Sequence, residues 1–207
     1  MIYSLFQRLL KQSPRKLFVL IYNIPRMLIK KCFHPSKFHA SLIQNISPST
    51  EIACEGGIMI LHHSIFTRNN VSFRVNTGGN LEIGTSFFNA NCSIMCMKKV
   101  IIGDNCLFGP NVVVVDDDHD YKSPGLLRGC NFLTDEIIIG NNVWIGANVV
   151  VLRGTYIGDN CVVGAGCIVK GKYEEDTVIT LQNREVKTKK ILYRAKGEFS
   201  ERNKIEE

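Results

Sequence analysis

One histidine of this 207-residue chain sits among carboxylates: residues 116–120 read DDDHD, with His119 flanked by Asp116, Asp117, Asp118 and Asp120. A neutral imidazole, with an ordinary pKa of about 6.5, is suited to accept a proton from a hydroxyl as that hydroxyl attacks. One of the flanking acids can orient the ring and stabilise its charged form, and Asp135 and Glu136 compete for the same role. A solvated acidic turn would use the same residues. Trp144 is the only tryptophan. Metal chemistry has weaker support. The other histidines are His34, His39, His62 and His63, and His62, His63 and His119 do not form the spaced cluster that three zinc ligands need. Cys92 and Cys96 are the nearest cysteine pair, with no histidine at ligand spacing, so no metal or prosthetic group is expected.

The elements that position these residues follow from a period of six. Ile139, Ile145, Val151, Ile157, Val163 and Val169 recur without a slip, and Gly140, Gly146, Gly158 and Gly164 follow four of them. Four residues after successive anchors stand Val143, Val149, Thr155, Cys161 and Cys167. Six is neither a helical nor a strand period, and a short fixed repeat signals a solenoid. Its flat faces are short strands, the anchors point inward, glycine relieves crowding at the corner, and the small residue fills the narrow interior. Upstream the same spacing gives Ile83, Asn89 and Met95, then, after one extra residue, Ile102, Phe108 and Val114. Asn89 thus takes a slot where an aliphatic is expected, at a cost unless it is satisfied. Earlier anchors are Ile58, Ser64 and Asn70. Residues 120–136 break the period and read as a loop leaving the solenoid; long loops of this kind usually carry a role.

The strings IIGDNCLFGPNVVVVDDDHDY (101–121) and IIIGNNVWIGANVVVLRGTYIGDNCVVGAGCIV (137–169) resemble the hexapeptide-repeat acyltransferases, in particular the galactoside, maltose and xenobiotic acetyltransferases and the bacterial polysaccharide O-acetyltransferases. The resemblance covers roughly residues 58–175 and implies an all-β solenoid, a left-handed parallel β-helix. It implies acetyl-coenzyme A as co-substrate and His119 as the general base acting directly on the acceptor. It places an asparagine near the tetrahedral centre: Asn89 by its spacing to His119, with Asn91 second. It sets Trp144 beside the acyl donor and lays the pantetheine arm along the small residues Gly146, Ala147, Gly164 and Ala165. Hexad sterics alone account for the same glycines. Lys170 and Lys172, or Lys187, Lys189 and Lys190, then meet the coenzyme phosphates. A homotrimer is implied, its sites between neighbours, with loop 120–136 reaching across.

The chain departs from the family in two places. Relatives end the solenoid with a threonine-lysine pair and a Gly-Asn-Pro-Ala-Lys segment, where this chain has IVKGKYEED and ITLQNREVK and only Asn183 matches. Met95, Cys96 and Met97 stand where sugar-acetylating relatives carry an acid. The expected reaction is acetyl transfer to a sugar hydroxyl, in capsule, exopolysaccharide or lipopolysaccharide. An amino sugar or antibiotic acceptor is the alternative. A zinc carbonic-anhydrase-like solenoid and a non-catalytic scaffold are more remote readings.

Charge divides the chain. Residues 1–50 hold Arg8, Lys11, Arg15, Lys16, Arg26, Lys30, Lys31 and Lys37 and no acid, so this end alone accounts for the net +6. They read as a helical arm and connector, broken near Pro14 and Pro25, ahead of a solenoid over 51–175 and a C-terminal helix or tail over 176–207. The apolar run 17–22 is too short to span a bilayer, and no small-residue cleavage site follows it. Two compatible readings of residues 1–35 remain: a basic amphipathic helix on the inner membrane face, or an arm with solvated charges that caps the open end of the solenoid or packs a neighbouring subunit. Nucleic-acid binding fits poorly, because the cations are segregated on an apolar arm. Eight cysteines without a CxxC read as free thiols in a reducing cytoplasm.

Overall fold

The structure is a computed structural model that describes residues 14–122 and 131–181. Short strands wind into a parallel solenoid of about six turns, a three-sided prism. One side is a seven-stranded sheet that begins at Phe38–Ala40 and includes Lys99–Ile102 and Ile137–Ile139. The second side is six-stranded and includes Phe87–Phe88, Leu107–Phe108 and Trp144–Ile145; the third, also six-stranded, runs from Glu51–Glu55 through Val113–Val115 to Ile168–Val169. The prism thus starts within the segment read as connector, and its last strand, Val178–Ile179, lies past residue 175.

The downstream period maps directly onto the interior. Ile139, Ile145, Val151, Ile157, Val163 and Val169 are buried, and so are the small residues Val143, Val149, Thr155, Cys161 and Cys167. Interior cysteines act as small apolar groups: burial pushes the Cys92 thiol up to about 11 and that of Cys96 to about 12.

Upstream the frame is different. Phe88 and Ile94 are the buried anchors after Ile83, not Asn89 and Met95, and the register puts Leu61, Thr67 and Phe73 in the anchor columns in place of Ile58, Ser64 and Asn70. The cause is a short corner. Asn105, Asn142 and Asn160 each turn their corner with a φ near +57°, within 56–58°. Between Ile83 and Phe88 there is room only for Gly84, Thr85, Ser86 and Phe87, one residue fewer than between Ile102 and Phe108. Phe88 stacks on Phe108 at 4.4 Å and meets Phe73 edge-on at 5.0 Å, so aromatic rings fill the wider early coils.

Corners stack as ladders. Asn70, Asn91, Asn111 and Asn148 all take positive φ, which asparagine tolerates better than most residues. Each passes an amide hydrogen to the next, at 3.4, 3.1 and 3.0 Å. Glycine is needed where coils approach most closely: a Cβ on Gly103 would lie 2.6 Å from the Gly140 carbonyl oxygen. Gly103→Ala, far from the candidate site, is expected to destabilise by about 1–3 kcal/mol through overpacking, and thermal melting of the variant checks this.

The N-terminal helix, α1 (Pro14–Phe33), runs without a break through Pro25, so the expected interruption there is absent. It closes the end of the prism with polar side chains. Asn23 Nδ2 donates to the Ile46 carbonyl at 2.6 Å, Lys30 Nζ to that of Ile52 at 2.6 Å, and Arg26 Nη2 to that of Thr50. Strand Glu51–Glu55 is a sheet edge, and these cations saturate carbonyls that no further strand reaches. The cap reading of the arm is therefore realised. The expected C-terminal helix or tail falls mostly on 182–207, outside the described residues.

Candidate active site

His119 stands on a hairpin that projects where the third sheet turns toward the first. Strand Asp117–His119 pairs antiparallel with Phe132–Thr134, so the excursion begins at Asp117 rather than Asp120. His119 is exposed, and its ring leans on Phe132 at 4.7 Å with a 38° tilt. Phe132 is a supporting residue that the sequence reading did not single out, because a lone aromatic in an aperiodic loop carries no spacing signal.

The acids around His119 separate by role. Asp116 is fully buried and accepts three backbone N–H bonds, from Met97 at 2.7 Å, Lys98 at 2.8 Å and Lys99 at 2.7 Å. It closes a corner of the preceding coil that is two residues longer than the corner after Val151. Asp118 Oδ2 accepts from Arg153 Nε at 2.6 Å, which ties the hairpin to the next coil. Arg153 was not anticipated either; only its place one coil beyond Asp118 marks it. Asp135 and Glu136 pair with Lys98 and Lys99 at 3.4 and 3.2 Å, exposed contacts of little energetic weight. Asp120 is buried and accepts from the Lys122 amide at 3.2 Å. Asp117 lies two residues from His119, on the same face of the strand. Burial pushes its carboxyl up, with Asp116 adding to the rise and His119 opposing it. Asp117 is thus an acid whose charge is coupled to the imidazole.

A second cluster occupies a different edge, where the second sheet turns toward the third. Backbone hydrogen bonds align Asn89, Gly109, Gly146 and Gly164 in one column: each amide donates to the following coil, Asn89 to Phe108 at 3.0 Å and Gly146 to Val163 at 2.8 Å. Asn89 is therefore a corner residue, half-buried, and its Oδ1 accepts from the Ala90 amide at 2.8 Å. The interior-slot argument for Asn89 fails, although its place on this column keeps it beside the other candidates. Asn91 is committed to the asparagine ladder. A Cβ on Gly146 would lie 2.6 Å from the Ala165 backbone nitrogen, so stacking by itself demands that glycine. Ala147 and Ala165 form the next column, half-buried and exposed.

Trp144 flanks this ledge with 56 % of its surface exposed. It belongs to an outward apolar column of Phe66, Phe87, Leu107, Trp144, Val162 and Val178 in direct register down the second sheet. Lys170 is exposed but stands at the corner after the third sheet, on the edge that carries the hairpin, whereas Lys172 opens the last strand of the first sheet and pairs with Glu174 at 3.0 Å. One chain thus gathers Trp144, Gly146, Ala147, Gly164, Ala165 and Asn89 on one edge, and His119 and Lys170 on another. Asn183, Lys187, Lys189 and Lys190 lie outside the described residues. Among the described residues, no three His, Cys, Asp or Glu side chains converge on a point that could hold a metal.

Comparison with known proteins gives a consistent resemblance. Residues 136–171 match the bacterial transferase hexapeptide (six repeats), and residues 99–115 match the hexapeptide repeat of succinyl-transferase. The chain is similar to a galactoside O-acetyltransferase of Escherichia coli (strain K12), 44 % identical over 93 residues, covering 44 % of this chain and 45 % of that protein. It is also similar to the putative lipopolysaccharide biosynthesis O-acetyl transferase WbbJ of the same organism, 33 % identical over 110 residues, with 46 % and 56 % covered. The chain spans about half the length of the curated relatives it matches. Among solved structures, an AntD mutant, an N-acyltransferase from Bacillus cereus, shares the fold at TM-score 0.60 and 18 % identity, over 78 % of this chain and 89 % of that one.

Proposed function

We propose that this chain, built of the hexapeptide repeats found in bacterial transferases, is an acetyl-coenzyme A-dependent O-acetyltransferase acting on a sugar hydroxyl. The observation that carries the reading is an exposed histidine, braced by Phe132 on a hairpin that Arg153 ties to the solenoid. The acceptor oxygen attacks the thioester carbonyl while the neutral imidazole of His119 takes its proton. The carbon–sulfur bond then breaks, and the proton passes to the departing thiolate, giving coenzyme A and an acetyl ester. Asp117 stabilises the transient imidazolium. Asn89 is the candidate donor to the oxyanion, and the Gly146–Ala165 ledge with Trp144 receives the pantetheine arm. Lys170 is the candidate for the coenzyme phosphates.

Base and ledge stand on different edges of one prism, so the reading requires a neighbour. A homotrimer brings the hairpin of one subunit to the ledge of the next, and the apolar column through Trp144 is a surface such packing would cover. Similarity to WbbJ and to the galactoside enzyme favours a surface polysaccharide or its precursor as acceptor. Acetyl-coenzyme A as donor puts the reaction in the cytoplasm.

Because Trp144 is the only tryptophan, its emission reports on the donor site directly. Titration with coenzyme A is expected to change that emission saturably, and acetyl-coenzyme A plus a galactoside or oligosaccharide panel to release free thiol. Unchanged emission together with no thiol release across the panel would remove the reading.

A further inference from the structure

An amphipathic helix on a soluble protein ordinarily turns its apolar stripe inward. α1 does the reverse. Its inward positions are Asn23, Arg26, Met27 and Lys30, and three of these four are polar groups bound to carbonyls of the solenoid end. Ile21, Tyr22, Leu28, Ile29 and Phe33 point away, with exposures that reach 59 % at Ile21, 56 % at Ile29 and 78 % at Phe33. Pro25 and Cys32 are exposed on the same stripe. The spacing 21, 25, 28, 32 with 22, 29, 33 places all seven on one continuous helical face. No helix among the described residues is long and apolar enough to cross a membrane.

The inversion has a physical cause. The end of a parallel solenoid is a row of unpaired carbonyls, which calls for donors and not for apolar side chains. Once those donors face the prism, the apolar half of the helix has no partner within it. Charge indicates what covers it. Residues 1–50 carry eight basic side chains and no acid, whereas the rest of the chain, with seventeen basic and nineteen acidic residues, nets −2. A second copy of the arm would set eight cations against eight more, so self-association through this face is opposed by repulsion.

We propose that α1 lies in the headgroup layer of an anionic membrane, its Ile21–Phe33 stripe turned into lipid and the basic side chains that the cap does not use, such as Lys31 and Lys37, against the phosphates. The solenoid hangs beneath, with its corner columns running along the membrane normal or inclined to it. The capping bonds of Asn23, Arg26 and Lys30 make the helix rigid with the prism, so membrane contact fixes the orientation of the whole chain. This inference is independent of the chemistry at His119.

Flotation with vesicles tests it. The full chain is expected to bind phosphatidylcholine vesicles containing roughly one third phosphatidylglycerol at least about tenfold more strongly than phosphatidylcholine alone, less so in about 0.5 M salt. The double variant I29E/F33E changes only outward side chains. It should keep the wild-type melting temperature and lose about tenfold or more of the anionic-vesicle binding. His119→Ala should float as the wild type does, which separates this proposal from the acetyl-transfer reading. Wild-type protein that stays off anionic vesicles would overturn the proposal, as would a double variant that binds them equally well. A wild type that ignores vesicles, with a double variant of lower oligomeric mass, would assign the stripe to a second copy instead.

Discussion

Replacing His119 by alanine should slow acetyl transfer by about 10²–10⁴-fold, the usual contribution of a positioned general base. Saturation of the Trp144 emission by coenzyme A should persist, because His119 and the ledge lie on different edges of the chain. The loss should fall on kcat, since the imidazole takes the proton only as the acceptor oxygen attacks. Stability should change little, because the side chain is exposed and its ring leans on the tilted face of Phe132. Thiol release by the two proteins, measured at equal oligomeric mass by light scattering, checks this. Equal rates would refute the assigned base.

The repeat and its interior were legible from Ile139 to Val169, because every corner there has the same length and six anchors recur without a slip. Upstream, the signal failed for a local reason. Phe87 and Phe88 are adjacent and equally apolar, so a corner shortened by one residue leaves the hydrophobic pattern compatible with either frame. Asn89 seemed anomalous only in the wrong one. The inverted helix was illegible for another reason. Its polarity is set by the carbonyls it meets, and a sequence shows an apolar stripe without showing which side the partner is on. The separate roles of Asp116, Asp117 and Asp118 were equally hidden. Three acids in a row are equivalent until the coils above and below supply three amides to one and a guanidinium to another.

Asp116 should therefore be the most costly acid to remove, although it touches no reacting atom. Its carboxylate is fully buried and satisfies three main-chain donors at 2.7–2.8 Å, while its own carbonyl accepts from Asp135 at 3.0 Å, at the root of the hairpin. Alanine would leave three amides in a closed corner without an acceptor. At about 1–3 kcal/mol for each buried donor left unmade, partly relieved by entering water, the expected loss is about 3–5 kcal/mol. For a chain of this size that lowers the melting temperature by roughly 10 °C. Asparagine should rescue only in part, because its amide NH2 would take the place of one carboxylate oxygen and face at least one of the three donors. Asp118→Ala, by contrast, breaks a partly exposed ion pair and should cost no more than about 1 kcal/mol while still loosening the hairpin. The pair of variants thus separates two effects. Asp116→Ala should lose stability and rate together, whereas Asp118→Ala should lose rate at nearly constant melting temperature. Equal melting temperatures for Asp116→Ala and wild type would show that the 96–99 corner finds its acceptors elsewhere, and that the Asp116 carboxylate does not position the hairpin that carries His119.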